Sequence, residues 1–287
     1  SFIDKSASAA VGASSLLITC LLGVFGGMGV GSGVVISQIY GNGDRKRLSQ
    51  AVHNTAGLIL ISGFGMMVLG YILAPVYLRL VRTPEHILEA SAGYLRIYFL
   101  SFLSIVLYNF GSGIIRALGD SRTPLYAQLA GGLMNVGMDY LFIRVLNQGI
   151  NGVAWATLIS QTVSAGFIFY SLVTLDPQYA LRPSRLAFNR GMMKETLAIG
   201  IPAGIQSLVI TLSNVIVQYH INSFGEDAIA AFTAYFKVEL LIYLPVTALG
   251  QTIMTFTGQN AGAGNWKRVR RGTRNCVWMS MGLAAFT

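Results

Sequence analysis

Charge is what this 287-residue chain has least of: Asp, Glu, Lys and Arg together make up 11% of it, against roughly 25% in soluble domains. That scarcity, beside 53% hydrophobic residues, excludes an ordinary soluble domain. Acid is scarcer than base, 11 residues against 20, which leaves a net charge of +9. In a soluble protein such a balance would suggest nucleic acid. Here the basic residues sit between apolar runs, and no aromatic residues are interleaved with them to stack bases, so no nucleic-acid partner is expected. Cysteine is nearly absent, and Cys20 and Cys276 have no paired spacing, which excludes a disulfide framework; both read as buried thiols. The three histidines, His53, His86 and His220, show no metal-ligand spacing, and no nucleophile-elbow motif occurs. Nothing supports an enzyme, and no cofactor is expected.

What the chain does have is apolar runs of about twenty residues separated by short polar stretches, the pattern of a helical membrane bundle and not of a barrel, whose strands are shorter and alternate. The runs cover about 11–40, 55–81, 91–118, 125–146, 152–175, 196–223 and 227–257, with a partial eighth from Cys276. Pro84 suits a helix start, and Gly119 and Pro124 suit the end of one helix and the start of the next. The chain starts at Ser1 and ends inside an apolar run, and it reads as a fragment of a longer protein.

Seven crossings and a partial eighth put alternate connections on opposite sides. One side receives Arg45, Lys46, Arg47, Arg116, Arg122, Arg182, Arg185, Arg190, Lys194, Lys267, Arg268, Arg270, Arg271 and Arg274, fourteen of the twenty basic residues. The other receives Lys5, Arg79, Arg82, Arg96 and Arg144, and Lys237 lies inside a span. The richer side is cytoplasmic by the positive-inside rule.

Sliding the chain on itself by 221 residues aligns 1–54 with 222–275 without a gap, matching Gly29 to Gly250, Gln38 to Gln259, Gly41 to Gly262, Gly43 to Gly264, Lys46 to Lys267 and Arg47 to Arg268. The ordered Gln-x-x-Gly-x-Gly-x-x-Lys-Arg pattern is more than chance matching of small residues. The two copies are six crossings apart and run in the same direction, so the repeat is parallel. Two six-helix halves of that kind place a substrate site at their interface. The expected organisation is an N-terminal lobe over 1–175, a cytoplasmic connection over 176–195 and the start of a C-terminal lobe over 196–287.

Gln128, Gly132, Asn135 and Asp139 follow one another at four, three and four residues and share a helical face. A carboxylate at membrane depth costs about 2.5 to 3.5 kcal/mol on insertion scales, so it faces a bundle interior or a water-filled cavity. The next helix offers Thr157, Gln161 and Ser164 at matching spacings. Such oxygens suit a sodium ion, and the carboxylate alone could carry a proton; a polar knot tying helices together is the other reading. Gln206, Ser213, Asn214 and Gln218 on the sixth run are polar enough to line a cavity or to bond helices together. Glu239, with Tyr235 and Tyr243 on its face, could attract a cationic substrate or hold helices together, and tyrosines suit flat cations. Gly23, Gly27 and Gly31 form no complete nucleotide fingerprint; four apart in a span, they let helices approach closely. Pro202 and Pro245 each remove a backbone hydrogen bond and could hinge or merely shape their helices.

Ala9-Ala10-Val11-Gly12, Ser37-Gln38 with Gly41 and Asp44, Arg116-Ala117-Leu118-Gly119-Asp120, Gly200-Ile201-Pro202 and Gly258-Gln259-Asn260-Ala261-Gly262 together resemble the multidrug and toxic compound extrusion (MATE) family of antiporters. The resemblance implies an all-α, polytopic helical bundle, part of a two-lobed twelve-helix transporter with parallel six-helix repeats, whose first and last helices lie outside this sequence. It implies export of cationic, often aromatic drugs or toxic compounds in exchange for sodium ions or protons, across a prokaryotic plasma membrane and with membrane lipid around a monomer. It further implies a cation site made by Asn135, Asp139 and Thr157, with Gln128, Gln161, Gln206, Asn214, Tyr235 and Glu239 as expected cavity residues. Two rivals stand beside it. A lipid-linked-sugar flippase of related architecture would need several cavity cations, for which the sequence offers mainly Lys237. A non-transporting membrane scaffold would make Asp139 structural, and the parallel repeat argues against it.

Overall fold

The computed structural model describes residues 5–81, 83–186 and 188–286; Arg82, and the side chains of the first thirteen residues, Lys5 included, lie outside what is described. Among the described residues nine α-helices follow one another: α1 Lys5–Asn42, α2 Arg45–Leu80, α3 Glu85–Leu100, α4 Phe102–Ala117, α5 Arg122–Asp139, α6 Gly149–Val173, α7 Arg190–Asn222, α8 Glu226–Gly262 and α9 Trp266–Phe286. No strand occurs among the described residues. Six helical stretches are long and apolar enough to cross a membrane, with α3 and α4 together making one of them. The polar stripe leaves α5 less apolar than those six, yet a π-helical turn over Tyr140–Val145 continues it, in which the Leu146 N–H reaches back to the Leu141 carbonyl at 2.9 Å.

Local chemistry sets the ends. Pro84 stands immediately before α3, as expected, and the helix then begins at Glu85, six residues ahead of the apolar run. Ser101 separates α3 from α4, its Oγ donating to the Tyr98 carbonyl at 2.6 Å, a break hidden within one continuous apolar run. Gly119, at φ +100°, closes α4 in a conformation glycine adopts without a Cβ penalty. Beyond it the Asp120 carboxylate accepts from the backbone N–H groups of Arg122 and Thr123 at 2.9 and 3.1 Å and from Thr123 Oγ1, capping the start of α5. Asn189 Oδ1 caps α7 by accepting from Gly191 and Met192, so α7 also starts six residues before its apolar run. Both α7 and α8 continue through Pro202 and Pro245.

The connection between α6 and α7 lies strapped to α2. His53 Nδ1 meets the Ser49 carbonyl at 2.7 Å and Nε2 accepts the Arg182 N–H at 3.1 Å, so the proton sits on Nδ1. Asn54 Oδ1 accepts the Asn189 N–H at 2.9 Å, and Arg47 pairs with Glu195 at 3.3 Å.

The centre of the bundle is α1, which packs most extensively on α7 and also against α4 and α8, while α5 and α6 form a hairpin at the side. One apolar core gathers Leu78, Leu95, Phe99, Phe102 and Phe110, and a second gathers Ile36, Leu48, Val52, Ile114, Ile168 and Leu172 nearer the basic end. The glycine stripe of α1 acts as a packing surface: Cβ atoms on Gly27 and Gly31 would overlap the backbones of Gly204 and Gly200 of α7, a close approach that small residues permit.

The sequence repeat has a physical reading at most matched positions of the helix ends. Gly43 and Gly264 both have positive φ, 77° and 70°. Asp44 accepts the Arg47 N–H at 2.9 Å, and its counterpart Asn265 accepts the Arg268 N–H at 3.2 Å. A Cβ on Gly41 would overlap the Gln259 carbonyl, and one on Gly262 the Gln38 carbonyl. Each glycine thus faces the counterpart of its own neighbouring glutamine, the pairing of a two-fold contact, and it closes α1 against α8 on the basic side.

Candidate functional site

Two polar places stand out. The first lies between α5 and α6. Asn135 Nδ2 donates to Ser160 Oγ at 3.4 Å, and Ser160 Oγ in turn donates to the Thr157 carbonyl at 2.9 Å, while Thr157 Oγ1 donates to the Val153 carbonyl. The helices are close here because Gly131 leaves room for Ser164, whose Oγ donates to the Ala127 carbonyl at 3.0 Å. One turn beyond Asn135, where α5 passes into the π turn, the Asp139 Oδ1 is buried with no hydrogen-bond partner among the described residues. A carboxylate with one buried, unpartnered oxygen, one turn from an amide that reaches Ser160 on the next helix, offers oxygens of the kind a cation needs. Ser160 and the π turn went unnoticed in the sequence; the spacing of three between Thr157 and Ser160 was the available signal for the first, and the second leaves none.

The second place is a cavity of about 520 Å³ enclosed by α1, α4, α7 and α8. Along α1 and α8 its walls are matched copies of the repeat: Leu22 faces the role of Tyr243, Val30 that of Gln251, Gly33 that of Met254 and Val34 that of Thr255, each pair 221 positions apart. The copies share position and differ in polarity, so the α8 wall is the polar one. Asn109, Gly113 and Arg116 contribute from one face of α4, and Gln206 and Ser207 from α7. Of the six expected cavity residues, Gln206 lines it. Tyr235 and Glu239 occupy the same stripe of α8 as Tyr243 but two turns and one turn farther from the closed end, and Asn214 is exposed one turn beyond Ile210 on α7. Gln128 is exposed and Gln161 half-buried in the α5–α6 hairpin, both away from this cavity. The cation that lines it is Arg116, and Lys237 is exposed elsewhere on α8.

The family model MatE matches residues 1–141 and 202–287. The chain belongs to the MatE family. It is thereby a multi-pass membrane chain of a family of multidrug transporters, not of enzymes, and it has the fold that its motifs implied. This MatE chain is 32% identical over 275 residues to the probable multidrug resistance protein YpnP of Bacillus subtilis, an alignment covering 93% of the chain and 60% of that relative. It is 29% identical to the probable multidrug resistance protein YoeA of the same organism, covering 97% of the chain and 62% of the relative. Its fold superposes on the crystal structure of MATE in complex with MaD5 with a TM-score of 0.90 at 23% identity, covering 98% of this chain and 64% of that one. The MatE chain therefore spans about 60% of the length of the curated relatives it matches.

Proposed function

We propose that this chain forms the greater part of a secondary active antiporter that exports cationic drugs or other toxic organic compounds in exchange for sodium ions or protons. Asp139, Asn135 and Thr157 hold the coupling cation, and the compound occupies the cavity between the lobes, reached past Glu239 and Tyr235. The lobes are divided as the repeat suggests, 1–175 and 196–287, with 176–195 between them. The observation that carries this reading is the Asp139 Oδ1, buried without a partner beside Asn135. A carboxylate that merely tied helices together would spend both oxygens on hydrogen bonds, since leaving one unmade costs about 1 to 3 kcal/mol. Loading a cation satisfies the orphan oxygen, and release of the cation restores the penalty, so the cluster has two states that an ion gradient can bias.

The test is dye efflux from cells carrying the full-length protein, wild type beside Asp139→Asn, with sodium and pH gradients imposed separately. The variant should lose gradient-driven efflux by about tenfold or more, the range of ordinary coupling energies, at unchanged expression, and the effective gradient identifies the ion. Wild-type efflux rates in Asp139→Asn would remove Asp139 from the coupling site.

A further inference from the structure

We propose that the deep end of the cavity between the lobes is an anion subsite centred on Arg116, accepting the phosphate, carboxylate or sulfonate of an amphiphilic compound whose apolar body lies along Leu22, Ile210 and Tyr243. The inference rests on the cavity being the substrate site and extends its range from organic cations to compounds carrying an anionic group.

Arg116 stands in the last turn of α4 and reaches the cavity half-buried. No hydrogen bond or ion pair joins its side chain to the described residues. The natural partner by spacing would be Asp120, four residues on. That carboxylate is instead committed to the cap of α5, where it accepts three hydrogen bonds from Arg122 and Thr123. The negative end of the α4 macrodipole attracts the guanidinium at this position but leaves its five donors without a hydrogen-bond partner among the described residues. No acid lines the cavity among the described residues; its other polar walls are amides and hydroxyls, Asn109, Gln206, Ser207, Gln251 and Thr255. Glu239 lies one turn above Tyr243, outside the lining. The cavity is therefore positive at its closed end and neutral along its walls. A planar fork of unpaired donors in a partly desolvated pocket is the arrangement that recognises carboxylate or phosphate bidentately.

The experiment measures equilibrium binding to the purified full-length protein, with no gradient present, by the fluorescence of three probes that share one ring system: dansylglycine, dansylamide and dansylcadaverine, anionic, neutral and cationic in turn. Dansylglycine should bind about tenfold tighter than dansylamide, as one charge-assisted bidentate contact supplies. Arg116→Gln should erase that difference, Arg116→Lys should keep part of it, and salt should weaken dansylglycine alone. Titration with phosphatidylglycerol, against phosphatidylcholine as control, separates two sources of the same chemistry: displacement of dansylglycine assigns the subsite to an anionic lipid, and its absence assigns it to a soluble organic anion. Equal binding of dansylglycine and dansylamide by the wild type, or an undiminished dansylglycine preference in a folded Arg116→Gln protein, would each overturn the proposal. Should Arg116→Gln fail to fold, the wild-type probe order and its salt dependence decide. Because binding requires no gradient, failure of coupling at Asp139 leaves this outcome untouched, and the reverse also holds.

Discussion

Single residues in this chain divide by whether a carboxylate is satisfied. Asp139 carries a buried oxygen without a partner, whereas Asp120, outside the spans, has more partners than most. Partial burial pushes the Asp120 carboxyl upward, but the hydrogen bonds from Thr123 and Arg122, with the Arg122 charge, outweigh it and hold the group below its ordinary value. A carboxyl lowered by folding stabilises the folded state at every pH above its ordinary range, and that contribution fades as pH falls through the lowered value. Asp120→Asn should therefore retain much of the cap while flattening the acid-side decline of the unfolding midpoint in detergent. Asp120→Ala should lower stability by about 1 kcal/mol at neutral pH, as loss of a cap does. Identical acid branches in wild type and Asp120→Asn would show that the cap does not titrate with this group. The cap also explains Arg116: an acid at i+4 that is already spent cannot neutralise it.

At the level of helices, glycine decides how near two axes come. Where α1 meets α8, Gly41 and Gly262 leave no space for a Cβ because the opposing atoms are backbone carbonyls of Gln259 and Gln38, which cannot rotate away as a side chain could. Gly41→Leu and Gly262→Leu should each force the cytoplasmic ends of the two helices apart. Overpacking of this kind typically costs about 1 to 3 kcal/mol, and Gln259 Nε2 would also lose its 2.8 Å hydrogen bond to the Ala117 carbonyl. The expected result is increased labelling, from the cytoplasmic face, of a cysteine introduced at Thr255 in the cavity; unchanged labelling would mean that this contact does not seal that end. The repeat was legible in the sequence as matched letters, and these elements show why the letters match: turn, cap and close contact recur together.

Across the whole molecule, the excess of basic residues on alternate connections predicts which face meets the cytoplasm. In a background lacking Cys20 and Cys276, cysteines at Lys46, Arg185 and Arg271 should react with an impermeant maleimide from the cytoplasmic side, and cysteines at Gln148 and Phe224 from the opposite side. Labelling of Gln148 and of a cysteine at Asp120 from one side would break the alternation, and with it the crossing by α5, the least apolar of the interior helices. The α5 crossing matters because the proposed coupling cation and the cavity lie on different helices, Asp139 on α5 and the cavity on α1, α4, α7 and α8. In the proposed function, ion and compound would be linked through the packing of α6 on α4, and of α4 on α1, not through shared contacts.

Hydropathy, turn residues and the offset of 221 positions are properties of neighbours along the chain or of two copies of one segment, and they determined the helices and the parallel repeat from the sequence alone. The stripe from Gln128 to Asp139 was legible for the same reason, as a 3.6-residue period on one helix. Tertiary structure decided which stripes meet. Tyr235 and Glu239 share a face with Tyr243 yet stop short of the cavity, because the depth at which α8 crosses α1 is set by the Gly41 and Gly262 contacts far along the helix. Arg116 reads in the sequence as one more basic residue of a cytoplasmic connection. It enters the cavity because Gly113 lets α4 lie close to α1 at Gly29, a fit between distant surfaces that no local period encodes.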